Sequence, residues 1–352
     1  MADKIHPLPT GTHAFLDQPE AQLTLRPSCD AIEIAAMFSS LPPQIPPETL
    51  RDFLLECQDA QTGHFLEPAP TEADTKPGEL GLHQAMEGSL GYAFLSVGHA
   101  LQLLEAQPRH AFHVLKLASP EALHSVLDQD LDWQGSGWGS GAWVDHFATA
   151  LAWQHHWFEP VPDPQPLFDW LNQHANPETG LWSPPDAQQD WLLAVNGFYR
   201  LTRGSYAQWG RPLPYPEKTI NSVLTHAWDT RHFGPHQGNA CNVLDVIHPL
   251  WLCARQTSHR RAEAEAWART QLPRALRSWQ ARRGFSFTLE PGHDARSQPG
   301  LQGTEMWLSI IYLLADYLGL SSALSFQPRG VHRLQALDKQ EVQPHPQIHA
   351  QG

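Results

Sequence analysis

The feature that most restricts how this chain can fold is a recurring unit, in which a pair of helix-forming segments closes on a turn that joins glycine to an aromatic residue. The turns read Thr62-Gly63-His64-Phe65, Gly135-Ser136-Gly137-Trp138, Thr179-Gly180-Leu181-Trp182, Arg231-His232-Phe233-Gly234 and Arg283-Gly284-Phe285-Ser286-Phe287. Apolar stretches rich in small residues occupy 83–104, 143–158, 190–203, 241–255 and 303–318. More polar, amphipathic stretches follow the first four, at 120–128, 166–174, 217–228 and 259–280. Shorter helices are expected at 29–39 and 48–58, separated by a proline-rich LPPQIPP. No segment alternates with the period of a half-buried strand. A helical pair that cannot bury its apolar face alone must stack on its neighbours. The pattern therefore predicts an all-α fold, a single (α/α)6-type toroid over residues 29–320, with six apolar inner helices wrapped by five amphipathic ones. Residues 1–28 read as an N-terminal arm and 321–352 as a mobile tail.

Composition narrows the partners. Net charge is -14 and the few lysines are scattered, so no basic face is available for nucleic acid. The longest apolar run, 307–320, is interrupted by Ser309 and Asp316. It falls short of the roughly 20 apolar residues that a membrane span needs. The first residues lack the apolar core of a secretory signal, which places the expected location in the cytoplasm. Cys29, Cys57, Cys241 and Cys253 show no CxxC spacing and are expected as free thiols.

Segment 173–182, QHANPETGLW, resembles the Gln…Gly-x-Trp repeat of the terpenoid cyclases, and Gln58…Gly63-His64-Phe65 and Gln280…Gly284-Phe285 are weaker copies. The PETGLW turn also resembles turns of the unsaturated-glucuronyl-hydrolase type of six-hairpin enzyme. These resemblances imply an α/α toroid of the six-hairpin glycosidase or the terpenoid cyclase and protein prenyltransferase kind. No family's full catalytic motif is present. Asp128-Gln129-Asp130-Leu131-Asp132 lacks the adjacent acid pair of class II cyclases and reads as a solvated turn.

The richest stretch for chemistry is 239–255, NACNVLDVIHPLWLCAR. Cys241, Asp245 and His248 fall on one helical face of an otherwise apolar helix, provided Pro249 does not restart it. Other apolar helices also carry polar groups near their starts: His83 and Glu87, Asp145 and His146, Asp190, and Glu305. The last helix adds Ser309, Tyr312 and Asp316 at 4-3-4 spacing. If the inner helices run parallel, these groups converge at one mouth. Asn196, Tyr199, Arg200 and Arg203 add a cluster suited either to an anionic substrate group or to a rim salt bridge.

Two inward carboxylates fit general acid/base chemistry on a glycoside. The expected catalytic residues are Asp245, Glu305, Asp145, His146 and His248. Expected to bind substrate are His83, Glu87, Trp143, Tyr199, Arg200, Cys241 and Tyr312. No cofactor is expected, since Cys241, Asp245 and His248 lack the Asp-x-Cys arrangement that holds zinc in protein prenyltransferases. The leading reading is an enzyme acting on a carbohydrate. The alternatives are an isoprenoid cyclase or prenyltransferase and a non-catalytic, ligand-binding toroid. A pocket of tryptophans and several carboxylates would favour the first, and a lining of Phe, Tyr and Leu around one acid the second.

Overall fold

The computed structural model describes residues 4–7, 13–69, 77–160, 162–188, 190–234, 237–289, 292 and 294–337. These residues are mostly helical, with 58% helix and 5% strand. In chain order the helices are α1 Arg26–Met37, α2 Pro47–Glu56, α3 Leu82–Ala85, α4 Gly88–Leu103, α5 Pro120–Ser125, α6 Gly137–Trp157 and α7 Gln165–His174. They continue with α8 Leu192–Thr202, α9 Pro216–Ala227, α10 Thr230–Phe233, α11 Ala240–Cys253, α12 Arg261–Arg277 and α13 Leu301–Tyr317. The only strand pairs among the described residues are two short antiparallel ones, Ile5–Pro7 with His13–Phe15 and Phe285–Ser286 with Pro299–Gly300.

The apolar helices bury most of their residues. Each packs on two others, in the order α1, α4, α6, α8, α11, α13 and back to α1. The amphipathic helices lie against this set: α2 on α4, α9 on α8 and α11, and α12 on α13 and α11. Burial follows composition. Trp143, Trp153, Trp267 and Trp307 are fully enclosed in one continuous core that runs from Ala14 to Tyr317. Each such side chain contributes its full apolar area, worth about 25 cal/mol per Å² removed from water.

Several boundaries differ from the sequence reading for identifiable reasons. The glycine run at 135–141 lies largely inside α6. A Cβ on Gly141 would sit 2.1 Å from the carbonyl of Gly197 in α8, and one on Gly197 would sit 2.1 Å from that of Gly137. Gly137 and Gly141 let the two helix backbones touch, so the second part of the run is a packing surface, while Gly135 closes a turn in which its N–H and that of Ser136 bond to Asp132. The expected helix at 83–104 divides at Glu87, whose extended backbone separates α3 from α4. Pro249 lies within an uninterrupted α11, so Asp245 and His248 do share one helix.

Both chain ends correct the sequence reading. The expected arm buries Ala14 and Phe15 in the common core, and α1 already begins at Arg26. Residues 327–337 of the expected mobile tail are packed: Gln327 N donates to the carbonyl of Met37 and Leu337 N to that of Gln208, while the Arg333 side chain donates to Gln102. His332 is inserted, 3% exposed, among the apolar helices. The remaining tail, 338–352, lies outside the described residues. No described helix is long and apolar enough to cross a membrane, and all four cysteines are free thiols.

Candidate functional site

A cavity of about 720 Å³ opens beside the first turns of α1, α4 and α6. Its aromatic wall is Tyr92, Trp138 and Trp143; its carboxylates are Glu67, Glu87, Asp130 and Asp132; its basic groups are Arg26, His83, His146 and Arg200. Trp143 is buried, stacked on Phe147 with its indole N–H donated to the carbonyl of His83. Trp138 is 45% exposed, so much of its indole is accessible from the cavity side. His83 Nε2 lies 3.4 Å from Glu87 Oε1, one helical turn away across the α3–α4 junction.

Arg200 forms the floor. Its guanidinium lies 5.3 Å from the ring centre of Tyr92 and 6.0 Å from that of Trp138. Arg26 faces the same Tyr92 ring at 4.9 Å. Arg200 Nε donates to Asp145 Oδ2 at 2.8 Å, and its Nη2 lies 2.8 Å from His146 Nε2. A guanidinium has no lone pair to offer, so His146 Nε2 is the acceptor. The imidazole proton then sits on Nδ1, which donates to the carbonyl of Met86 at 2.8 Å. Burial, reinforced by the charge of Arg200, pushes His146 down to about 3, which agrees with this neutral tautomer.

Behind the floor, polar contacts run through the interior. Arg203 pairs with Asp145 through both nitrogens facing it and places Nη1 3.4 Å from the Tyr199 hydroxyl. Tyr199 Oη is 2.9 Å from His332 Nε2, and His332 Nδ1 is 2.8 Å from Glu305 Oε1, which also accepts from Ser309. The arrangement is consistent if Tyr199 accepts from Arg203 and donates to His332, which donates in turn to Glu305. Burial alone would raise Glu305, but the His332 contact holds it below the usual carboxylate range.

Other buried acids go the other way. Burial, with Glu305 nearby, raises Glu33 well above normal, though Glu33 accepts the Val331 N–H at 2.9 Å. Gly330 has a φ of +63°, and a Cβ there would strike the Glu33 carboxyl at 2.3 Å. Asp30, 3.3 Å from Arg26, is pushed up to about 7 by burial against the pull of that arginine.

The expected site residues therefore divide. His83, Glu87, Trp143, His146 and Arg200 line the cavity; Asp145 lies directly beneath it. Tyr199 and Glu305 belong to the interior network. Asp245 is 1% exposed, with Oδ1 lacking any hydrogen bond and the Asn196 amide placed to donate to Oδ2, and burial raises it well above normal. His248, its Nδ1 also unbonded, is pushed by burial to about 3 and sits edge-on to Tyr199. Cys241 is half-buried and raised to about 12 by burial and by Asp245. Tyr312 is near Ser321 and Phe326, in a separate depression. Neither Asp245 nor Glu305 lines the cavity, so the two acids expected to face one another across it serve the interior instead.

Sequence reading missed Arg26, Asp30 and Glu33 on α1, and His332. The three-residue spacing of Asp30 and Glu33 on an apolar helix was the available signal; His332 had none, because it lies in a segment rich in Gln, Pro and His. Asp130 and Asp132, expected in a solvated turn, are exposed but border the cavity, whereas Asp128 accepts the Trp170 indole N–H at 2.7 Å.

The ligand atoms of Cys241, Asp245 and His248 do not gather compactly. The group that does so among the described residues is Asp190, His226 and His232. The chain matches no protein-family model, no curated protein and no solved structure.

Proposed function

We propose that the chain is an α/α toroid whose cavity binds a carbohydrate and acts on it by proton transfer. The cyclic packing order of α1, α4, α6, α8, α11 and α13, with amphipathic helices against it, supports the architecture. The observation that carries the functional reading is the cavity wall, where the exposed Trp138 stands with four carboxylates and two guanidiniums. Sugars present apolar C–H faces that stack on aromatic rings and hydroxyls that pair with charged side chains. A prenyl diphosphate would engage the two guanidiniums but offers no donor to the four carboxylates, and leaving those desolvated would cost binding energy.

Within this reading Trp138 is the stacking platform. Arg200, held rigid by Asp145 and His146, is preorganised to orient an oxygen-bearing substituent. His83 and Glu87, adjacent and solvent-accessible, form the proton-transfer pair. Asp145, Glu305 and Tyr199 support the floor from behind.

Titration of intrinsic tryptophan fluorescence with neutral oligosaccharides, uronic-acid oligosaccharides and prenyl diphosphates tests this. A saccharide response that disappears in Trp138→Ala is expected, together with a Glu87→Gln variant that still binds but no longer turns substrate over. A response to prenyl diphosphates alone would overturn the carbohydrate reading, and unaltered turnover in Glu87→Gln would remove the proton-transfer role.

A further inference from the structure

Away from the cavity, three side chains from three segments converge. Asp190 lies two residues before α8, His226 lies in the last turn of α9, and His232 lies in α10. One ligand atom from each falls within 4.8 Å of the others. His232 Nε2 is 2.8 Å from Asp190 Oδ2, and the His226 and His232 ring centres are 5.3 Å apart.

The decisive feature is His226. It is 1% exposed, yet neither ring nitrogen has a hydrogen-bond partner. Buried polar groups are nearly always satisfied, and one that is not calls for an explanation such as an ion. Phe233 packs edge-on against the ring at 5.2 Å and offers it no partner.

We infer that Asp190, His226 and His232 form a binding site for a divalent transition-metal ion, with zinc the best match. Two imidazole nitrogens and one carboxylate oxygen are the donors such ions take, whereas magnesium and calcium prefer all-oxygen sites. Closing the three donors onto an ion at about 2.0–2.2 Å requires only a local approach. The ion would replace the proton now shared by His232 and Asp190.

The surrounding charge is compatible. Arg231 Nη1 approaches Asp190 Oδ2 at 3.6 Å, but its guanidinium is committed to Asp229 through contacts of 2.5 to 3.0 Å. Asp229 and Arg231 thus largely cancel one another beside the site. Asp190 and His232 keep 20% and 15% of their side chains exposed. A fourth position is therefore open to water, and the ion would tie the entry of α8 to α9 and α10.

The test uses the untagged full chain, stripped with chelator and titrated with Zn²⁺ by calorimetry and with Co²⁺ by visible absorption. One ion per chain is expected, with the intense bands of low-coordinate cobalt and no response to Mg²⁺. Asp190→Asn keeps the hydrogen bond to the Leu192 N–H while removing the anionic ligand. It and His232→Ala should each weaken binding by more than the roughly 10–100-fold typical of a residue that only supports a ligand. Cys241→Ala should leave binding unchanged. Absence of stoichiometric binding, persistence in Asp190→Asn and His232→Ala, or loss in Cys241→Ala would each overturn the assignment. Because Asp190 and His232 are partly exposed, the result does not depend on whether His226→Ala folds.

Discussion

Asp145→Asn should be the most damaging conservative change in the interior. The carboxylate is fully buried and is shared by Arg200 and Arg203, both of which approach Oδ2. An asparagine of the same size leaves the space filled but leaves two guanidiniums without their counter-charge. Breaking a buried ion pair from one side costs about 3–5 kcal/mol. Unfolding entropy near 2.1 cal/mol/K per residue gives roughly 0.7 kcal/mol/K for a chain of 352 residues. The expected fall in Tm is therefore about 4–7 °C, measured by differential scanning calorimetry with urea unfolding as a check. Asp245→Asn is the internal control. Its carboxyl is equally buried, but no described arginine pairs with it and burial raises it well above the normal range, so replacing it with an amide strands no paired cation. That variant should lie within about 1 kcal/mol of the parent. Equal losses in the two variants, or a larger loss at Asp245, would refute the assignment of the interior charge to the Asp145 pair.

Two further outcomes test the interior. His248 is held down to about 3 by burial, below its unfolded value of about 6.5, so its contribution is fully present above pH 6.5 and is lost as pH falls toward 3. The stability of His248→Gln relative to the parent should therefore improve by about 1.4 kcal/mol per pH unit below 6.5, read from urea midpoints at pH 7 and pH 5, and a pH-independent difference would exclude a neutral buried His248. His332→Ala removes the donor to Glu305 and the acceptor of Tyr199 and should cost about 3 kcal/mol. Adding Glu305→Gln should recover part of that loss in a double-mutant cycle, and strict additivity of the two changes would show that they do not interact.

The helical content was legible because it is local. A period near 3.6, proline and glycine at segment ends and the absence of strand periodicity all act within a few turns of chain. The same locality explains why the segments 241–255 and 303–318 match α11 and α13 to within a few residues, and why Asp245 and His248 share one helix. His83 and Glu87 were legible as a pair for the same reason, since residues four apart on a helix, or just across its first turn, stay neighbours whatever the rest of the chain does.

What the sequence could not supply is the set of partners that a buried charge finds. Asp145 takes Arg200 and Arg203 from 55 and 58 residues away, and Glu305 takes His332 from a segment whose composition reads as a tail. Partners of this kind set the direction in which a buried acid shifts: Glu305 is lowered by its histidine, whereas Asp245, with no comparable donor, is raised. Gly137 and Gly141 illustrate the same division. Glycine signals that a side chain is unwelcome, but only the approach of α8 shows that the excluded volume belongs to another helix. Local periodicity determined which residues form helices and which face of each is apolar. Tertiary packing alone decided which polar groups border a cavity and which are sealed behind it, because burial and long-range pairing, not residue type, set the energy of a charge.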